Sequence, residues 1–189
     1  MRLLILALLV GSTAAAKPTA NFTKEFQAGI DAFRLGKLDD ARSHLERARK
    51  LDPKLPGPHR FLAAVAQGQE KFDECVTEGH EALHLNPASS EAGETKKLYD
   101  SCRGSAGRAP YRGTALGDAA AIAVITNIPG ATVKINKLSY GGTPLAPRRI
   151  SAGLLEIEIT KTGYKPLHVS IDAVAGIVND VVADLEATQ

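Results

Sequence analysis

Two hydrophobic patterns divide the chain near Ala120. Before this residue, apolar side chains recur every third or fourth position, which predicts amphipathic helices; after it they recur every second position, which predicts strands with one buried face. The helical part repeats after 34 residues, since Leu51-Asp52-Pro53 returns as Leu85-Asn86-Pro87. Proline lacks an N–H and clashes with the preceding turn, so both prolines end a helix at equivalent places. The sequence predicts an α+β multidomain chain with an all-α part before an all-β part.

Small residues mark the sites where the predicted helices approach each other. Three in the first copy correspond to three in the second, namely Gly29, Ala41 and Ala48 to Ala63, Cys75 and Ala82. This period and the terminal Leu-Asp-Pro resemble the tetratricopeptide repeat. Residues 22–55 and 56–89 are predicted as two helical hairpins, and residues 90–102 as a fifth helix that caps the array. The predicted helical domain therefore covers residues 22–102.

The alternating part predicts five or more short strands that share one apolar face. The positions on that face are Ile122, Val124, Val133, Ile135, Leu155, Ile157, Ile159, Leu167, Val169, Ile171, Val181, Ala183 and Leu185. Turn residues such as Pro129-Gly130, Gly141-Gly142 and Thr162-Gly163 separate them. The pattern predicts a small β-sandwich over residues 120–187.

Four ordered motifs in this region resemble the PEGA domain. They are residues 127–133 (Asn-Ile-Pro-Gly-Ala-Thr-Val), 141–145 (Gly-Gly-Thr-Pro-Leu), 151–153 (Ser-Ala-Gly) and 161–165 (Lys-Thr-Gly-Tyr-Lys). The resemblance implies a transthyretin-like sandwich, common in bacterial envelope and surface proteins, with no catalytic residues to carry over. Two departures are visible: no Glu precedes Gly130, and Lys137 follows Asn136 where a turn glycine is usual.

Residues 103–119 are rich in glycine and small residues and carry no sustained apolar period. This composition predicts a flexible linker, so that the two domains would move independently. A single core merged across this junction would contradict the two-domain interpretation.

The amino terminus predicts a secretory signal peptide. Arg2 precedes the uncharged run 3–10, and small residues follow up to Ala16, where we expect cleavage. The apolar run is far shorter than the ~20 residues of a membrane-spanning helix, so we expect no transmembrane segment in the mature chain. The protein is therefore predicted to be exported, to the periplasm or the cell surface of a bacterium.

The resemblance to tetratricopeptide arrays implies a groove lined by the first helix of each hairpin, which commonly takes a protein or peptide segment. The side chains that would line it are Phe26, Ile30, Phe33, Arg34, Arg60 and Gln67. The alternative is that the apolar members of this set complete a hydrophobic core. The pattern leaves both interpretations open.

The two cysteines, Cys75 and Cys102, lie at similar distances from the turn near Pro87. On antiparallel helices they would reach similar heights, and an oxidising compartment would favour a disulfide between them. The alternative is a buried, apolar Cys75 and a free Cys102.

The sharpest enzymatic signal is His80-Glu81-Ala82-Leu83-His84, a formal H-E-x-x-H motif. In zinc peptidases the two histidines bind the metal and the glutamate acts as general base. Here the helix ends at Pro87, and no third ligand is evident from the sequence. A zinc metallopeptidase is therefore the weaker alternative.

Charge adds little. The 23 Lys and Arg residues nearly balance the 21 Asp and Glu residues, giving a net charge of +2 with no basic cluster, so we expect no nucleic-acid partner. The sequence predicts a non-catalytic, cofactor-free adaptor that binds a protein partner through the groove. The PEGA-like domain would contact the envelope or another protein.

Overall fold

The computed structural model describes residues 18–188, so the predicted signal peptide lies outside the described residues. Five helices precede seven strands, which confirms the predicted α+β arrangement. The helices are α1 (Ala20–Arg34), α2 (Leu38–Leu51), α3 (Pro56–Gly68), α4 (Phe72–Leu85) and α5 (Ala92–Ser105). The strands are β1 (Ala119–Thr126), β2 (Thr132–Ile135), β3 (Leu138–Gly142), β4 (Leu145–Ser151), β5 (Gly153–Thr160), β6 (Leu167–Ala173) and β7 (Val178–Ala183).

The helix ends follow local chemistry. Thr19 caps α1, because its hydroxyl oxygen accepts a hydrogen bond from the Phe22 N–H at 3.2 Å. Gly36 follows α1 with φ of +71°, a conformation that costs glycine little. Pro56 opens α3, where a missing N–H removes no helical hydrogen bond. The α1–α2 and α3–α4 pairs form the two predicted hairpins, and α3 contacts both α1 and α5.

Two sheets enclose the core of the β part. One has the order β4-β1-β7 and the other the order β3-β2-β5-β6. All pairs are antiparallel except β1 with β7. Every residue predicted for the apolar face lies in this core or packs against it, because strand side chains alternate between two faces.

The turn between β2 and β3 contains the departure noted above. Asn136 and Lys137 have φ of +48° and +70°, as a two-residue hairpin turn of the primed type requires. Asparagine tolerates this conformation, whereas lysine pays roughly 1–2 kcal/mol for it. The turn forms in spite of the missing glycine.

The segment predicted as a flexible linker, residues 103–119, packs against both parts of the molecule. Its first three residues complete α5, and Tyr111 and Leu116 cover the outer face of β1. The Arg149 guanidinium on β4 donates to the carbonyl oxygens of Ala115 and Leu116 at 2.9 and 3.2 Å. The linker prediction is therefore wrong in this structure, since composition does not show what a segment packs against.

The helical and β parts also share apolar contacts. Val174 and Ile177, from the loop before β7, join a buried cluster with residues of α3, α4 and α5. The sandwich core and the core between the first hairpin and α3 remain separate from this cluster. The helical part and the β part therefore each have a core of their own and are packed against each other at the junction. This packing argues against the independent movement that the linker prediction implied.

Candidate binding surface

Three phenylalanines form a row across α1 and α3. The Phe61 ring meets the rings of Phe26 and Phe33 edge-on, with centroids 5.8 and 5.9 Å apart. The Arg60 guanidinium carbon lies 4.8 Å from the Phe61 centroid, within cation–π range. All four side chains are partly solvent-exposed. We call Phe26, Phe33, Arg60 and Phe61 the aromatic groove.

A cavity of about 240 Å³ adjoins the groove and is lined by residues of α1, α3, the end of α4 and the start of α5. Phe26 and Arg60 line one side of it, and Glu91 and Thr95 line the other. The neighbouring Ser90 side chain lowers the pKa of the Glu91 carboxyl, and the positive charge of Arg60 adds to the effect. The groove therefore places an apolar surface beside one cationic and one anionic group.

The other predicted groove residues lie outside this cluster. Ile30 is half-buried one turn after Phe26. Arg34 is exposed at the end of α1 and lies 3.8 Å from the Asp31 carboxylate. The Gln67 amide donates to the Ser101 hydroxyl on α5 at 3.2 Å, so it links two helices.

Phe61, the centre of the row, is absent from the sequence prediction. Its counterpart 34 residues earlier is Gln27, a polar residue, so the repeat register gives no apolar signal there. Only its neighbour Arg60 was assigned to the groove. Within α3, Phe61 lies one turn before the buried Val65, and this helical spacing is the sequence signal available for it.

The H-E-x-x-H histidines both approach the sandwich. His80 Nε2 lies 2.8 Å from the Asn179 side-chain oxygen, and His84 Nδ1 lies 3.9 Å from the Asp172 carboxylate. His80 therefore faces the sandwich rather than open solvent. Within residues 18–188, no group of three or more His, Cys, Asp or Glu side chains is placed to hold a metal ion.

A disulfide links α4 to α5. The Cys75 and Cys102 sulfurs are 2.01 Å apart and both residues are fully buried. The same helix α5 carries two contacts to the sandwich: the Tyr99 hydroxyl donates to the Val178 carbonyl at 2.6 Å, and Arg103 pairs with Asp180 at 2.7 Å. Burial raises the pKa of Tyr99, which keeps its hydroxyl a donor. The disulfide-linked helix therefore holds the two parts together.

Charged groups are also enclosed behind this junction. His59 Nδ1 lies 2.7 Å from the Glu78 carboxylate, and both side chains are only 9% exposed. Arg49 pairs with the other oxygen of Glu78. This triad belongs to the wall of a cavity of about 640 Å³ between α4 and the sandwich.

Comparison with known proteins assigns the β part. Residues 119–189 match the PEGA domain. The match covers the entire sandwich and confirms the resemblance seen in its turn motifs. The five helices are compatible with a tetratricopeptide-like fold, although they match no family of that repeat.

No curated protein matches the chain. Within residues 18–188, no helix is both long enough and apolar enough to span a membrane. PEGA domains are typical of exported bacterial proteins, so the match is compatible with a location outside the cytoplasm.

Proposed function

We propose that this protein is a non-catalytic, exported adaptor whose aromatic groove binds a segment of a partner protein. The observation that carries the proposal is the row of three phenylalanine rings, which pack on the core beside α1 and α3 but stay partly exposed, with Arg60 stacked on the central one. Aromatic and arginine side chains dominate the binding energy of protein interfaces. A groove with these side chains at its centre suits an apolar anchor residue of the partner.

The neighbouring cavity supports a directional mode of binding. An apolar anchor beside Phe61 would leave the flanking backbone near Arg60 and Glu91, which offer a donor and an acceptor. Polar groups at the rim of an apolar contact orient a ligand more than they strengthen its binding. The partner segment would therefore lie across α1 and α3 in one orientation.

The PEGA domain would supply the second contact of the adaptor, either with the cell envelope or with another protein. The buried disulfide favours an oxidising compartment, where such bonds form and persist. Because α5 docks on the sandwich, the two binding parts would be held at a set distance rather than on a flexible tether.

Quantitative affinity capture tests the proposal. The full chain and a Phe26→Ala, Phe33→Ala, Arg60→Ala triple variant would be used as baits against an extract of envelope proteins. We expect the partners retained by the native chain to bind the variant at least about tenfold more weakly, because hot-spot side chains are lost.

The matched control is Leu51→Ala, which removes a large side chain that is 47% exposed at the end of α2 and lies outside both the aromatic groove and the PEGA domain. This variant should retain the same partners as the native chain. Thermal melting of all three proteins would verify that each is folded. If the native chain and the triple variant retained identical sets of partners, the groove would not be the binding site.

A further inference from the structure

Strand β7 presents one open backbone edge. Within the described residues it lies at the end of the sheet order β4-β1-β7 and pairs only with β1. The carbonyls of Ile177 and Ala183 accept hydrogen bonds from the β1 side, from the N–H groups of Ala121 and Asn127. Successive strand residues alternate in direction, so the N–H and C=O groups of residues 178, 180 and 182 point away from β1.

The outward backbone groups of two of these three residues are unpaired within residues 18–188. The Val178 carbonyl accepts the Tyr99 hydroxyl at 2.6 Å, which closes that end of the edge. For Asp180 and Val182, no backbone partner lies on the outer side within residues 18–188. The Val182 side chain is also 59% exposed, so it offers an apolar contact beside the edge. Proteins generally protect such edges, because an unpaired edge can accept another strand.

The open edge borders the cavity of about 640 Å³ described above. Ile171, Asp180 and Val182 line it from the sandwich, and Asp73, Thr77 and Glu81 line it from α4. The volume falls within the range of about 300–1,000 Å³ found for ligand sites. The hydrogen bonds of His80 and Tyr99 with the sandwich join the two walls and set their spacing at one end. The cleft is therefore a fixed feature of the junction.

The electrostatics of the cleft favour a cationic occupant. Asp73 and Asp180 both pair with Arg108, and Glu78 pairs with Arg49 and His59. Glu81 has no ion-pair partner within the described residues, and it lies on the same face of α4 as Asp73, two turns away. A lysine or arginine entering the cleft would meet this carboxylate in the same cavity that Asp180 and Val182 of β7 line.

We propose that this cleft binds an extended, lysine- or arginine-bearing segment of a partner protein, which adds a strand to β7. Its backbone would pair with the free groups of Asp180 and Val182, its apolar side chains would contact Val182 and Ile171, and its cation would pair with Glu81. Strand addition to an exposed edge is a common mode of peptide recognition. This surface is separate from the aromatic groove and does not depend on it.

The experiment uses a display library of random peptides of about ten residues, selected on the full chain. The most enriched peptide with alternating β-branched residues and a basic residue is synthesised, and its affinity is measured for the native chain and for variants. Val182→Pro removes the outward N–H without removing a hydrogen bond to β1, and proline is tolerated at such edge positions. Val182→Thr is the matched control that keeps the N–H.

We expect Val182→Pro to bind the peptide at least about tenfold more weakly than the native chain, and Val182→Thr to bind within about twofold of it. Glu81→Lys should weaken binding most at low salt, since an exposed charge pair is screened. Hydrogen exchange should show that the Val182 amide becomes protected when the peptide binds. Because Glu81→Lys and the exchange measurement leave the backbone of β7 intact, they test the proposal even if the proline variant unfolds.

Three results would overturn the proposal: no enrichment of basic, β-branched peptides; equal affinity of the peptide for the native chain and Val182→Pro; or no change in the exchange of the Val182 amide. Loss of binding in Arg60→Ala alone would place the peptide in the aromatic groove instead. A dimer that light scattering detects and that Val182→Pro dissociates would make a second copy of this chain the occupant, against the proposal.

Discussion

The two helical hairpins share a 34-residue period, but the glycine lies on the first helix of one hairpin and on the second helix of the other. In the first hairpin Gly29 on α1 faces Leu45 on α2, and a Cβ at Gly29 would lie 2.7 Å from Leu45 Cγ. The equivalent residues of the second hairpin are Ala63 and Gly79. A Cβ at Gly79 would lie 3.4 Å from a Tyr99 ring carbon. The glycine has thus changed helix, and its new position leaves room for α5.

A histidine–glutamate pair is exchanged between the two helices of the hairpins. Glu25 and His44 lie 2.8 Å apart in the first hairpin, and the equivalent positions hold His59 and Glu78, 2.7 Å apart. The first pair is 22% and 33% exposed, whereas both members of the second are 9% exposed. The same pair geometry is therefore found in two environments, one partly exposed and one buried. The first hairpin presents a free surface, and the second is enclosed between the first hairpin, α5 and the sandwich.

The largest expected effect comes from the disulfide, which has no counterpart in the first hairpin. Replacing both Cys75 and Cys102 with alanine should lower the free energy of unfolding by about 3.5 kcal/mol, because the unfolded chain regains the entropy of a loop closed over a sequence separation of 27 residues. Urea unfolding of both proteins measures the difference. Reduction with dithiothreitol should destabilise the native chain alone, and an equal effect on the double variant would contradict this explanation.

The next largest effect is expected from filling the space beside Gly79. Gly79→Leu restores the residue of the first hairpin and forces atoms into the space of Tyr99, so we expect a loss of about 1–3 kcal/mol in the free energy of unfolding. Urea unfolding again provides the measurement.

Two further variants serve as controls for this experiment. Gly104→Ala on α5 is the control, since no atom lies within 4 Å of the added Cβ, and it should leave stability unchanged or slightly higher. Combining Gly79→Leu with Tyr99→Ala should cost less than the sum of the single changes, because the two residues share one space. Strict additivity would show that Tyr99 is not the obstacle.

Much of the fold can be predicted from the sequence, because each helix and strand carries a local signal. Pro53 and Pro87 mark helix ends, and the alternating residues from Ile122 to Leu185 occupy the sandwich core as predicted. The docking of α5 on the sandwich was not predictable in this way. The Tyr99 and Arg103 contacts join residues 77 or more positions apart, and no period or turn residue encodes such a pairing.

The candidate site was only partly predictable for the same reason. The repeat register predicts the groove positions of Phe26, Phe33 and Arg60 but not that of Phe61, which has a polar counterpart. The open edge of β7 depends on which strands are neighbours in the sheet. Sheet order is a long-range property, and the parallel β1–β7 pair in particular joins strands from opposite ends of the domain.

The smallest expected effect is a pH dependence confined to the second hairpin. Burial alone would lower the pKa of His59, but the hydrogen bond and charge of Glu78 outweigh burial and raise the pKa above its ordinary value. Since the folded pKa exceeds the unfolded value of about 6.5, this stabilisation is complete below about pH 6.5 and is lost as the pH rises through the folded pKa.

Urea unfolding from about pH 5.5 to about pH 8.5 should therefore show a fall in stability that His59→Gln reduces. His44→Gln should leave that fall in place, because the Glu25–His44 pair is more exposed and more strongly screened. If His59→Gln left the pH profile unchanged, the enclosure of the second pair would have no consequence for stability, and the two hairpins would differ in packing alone.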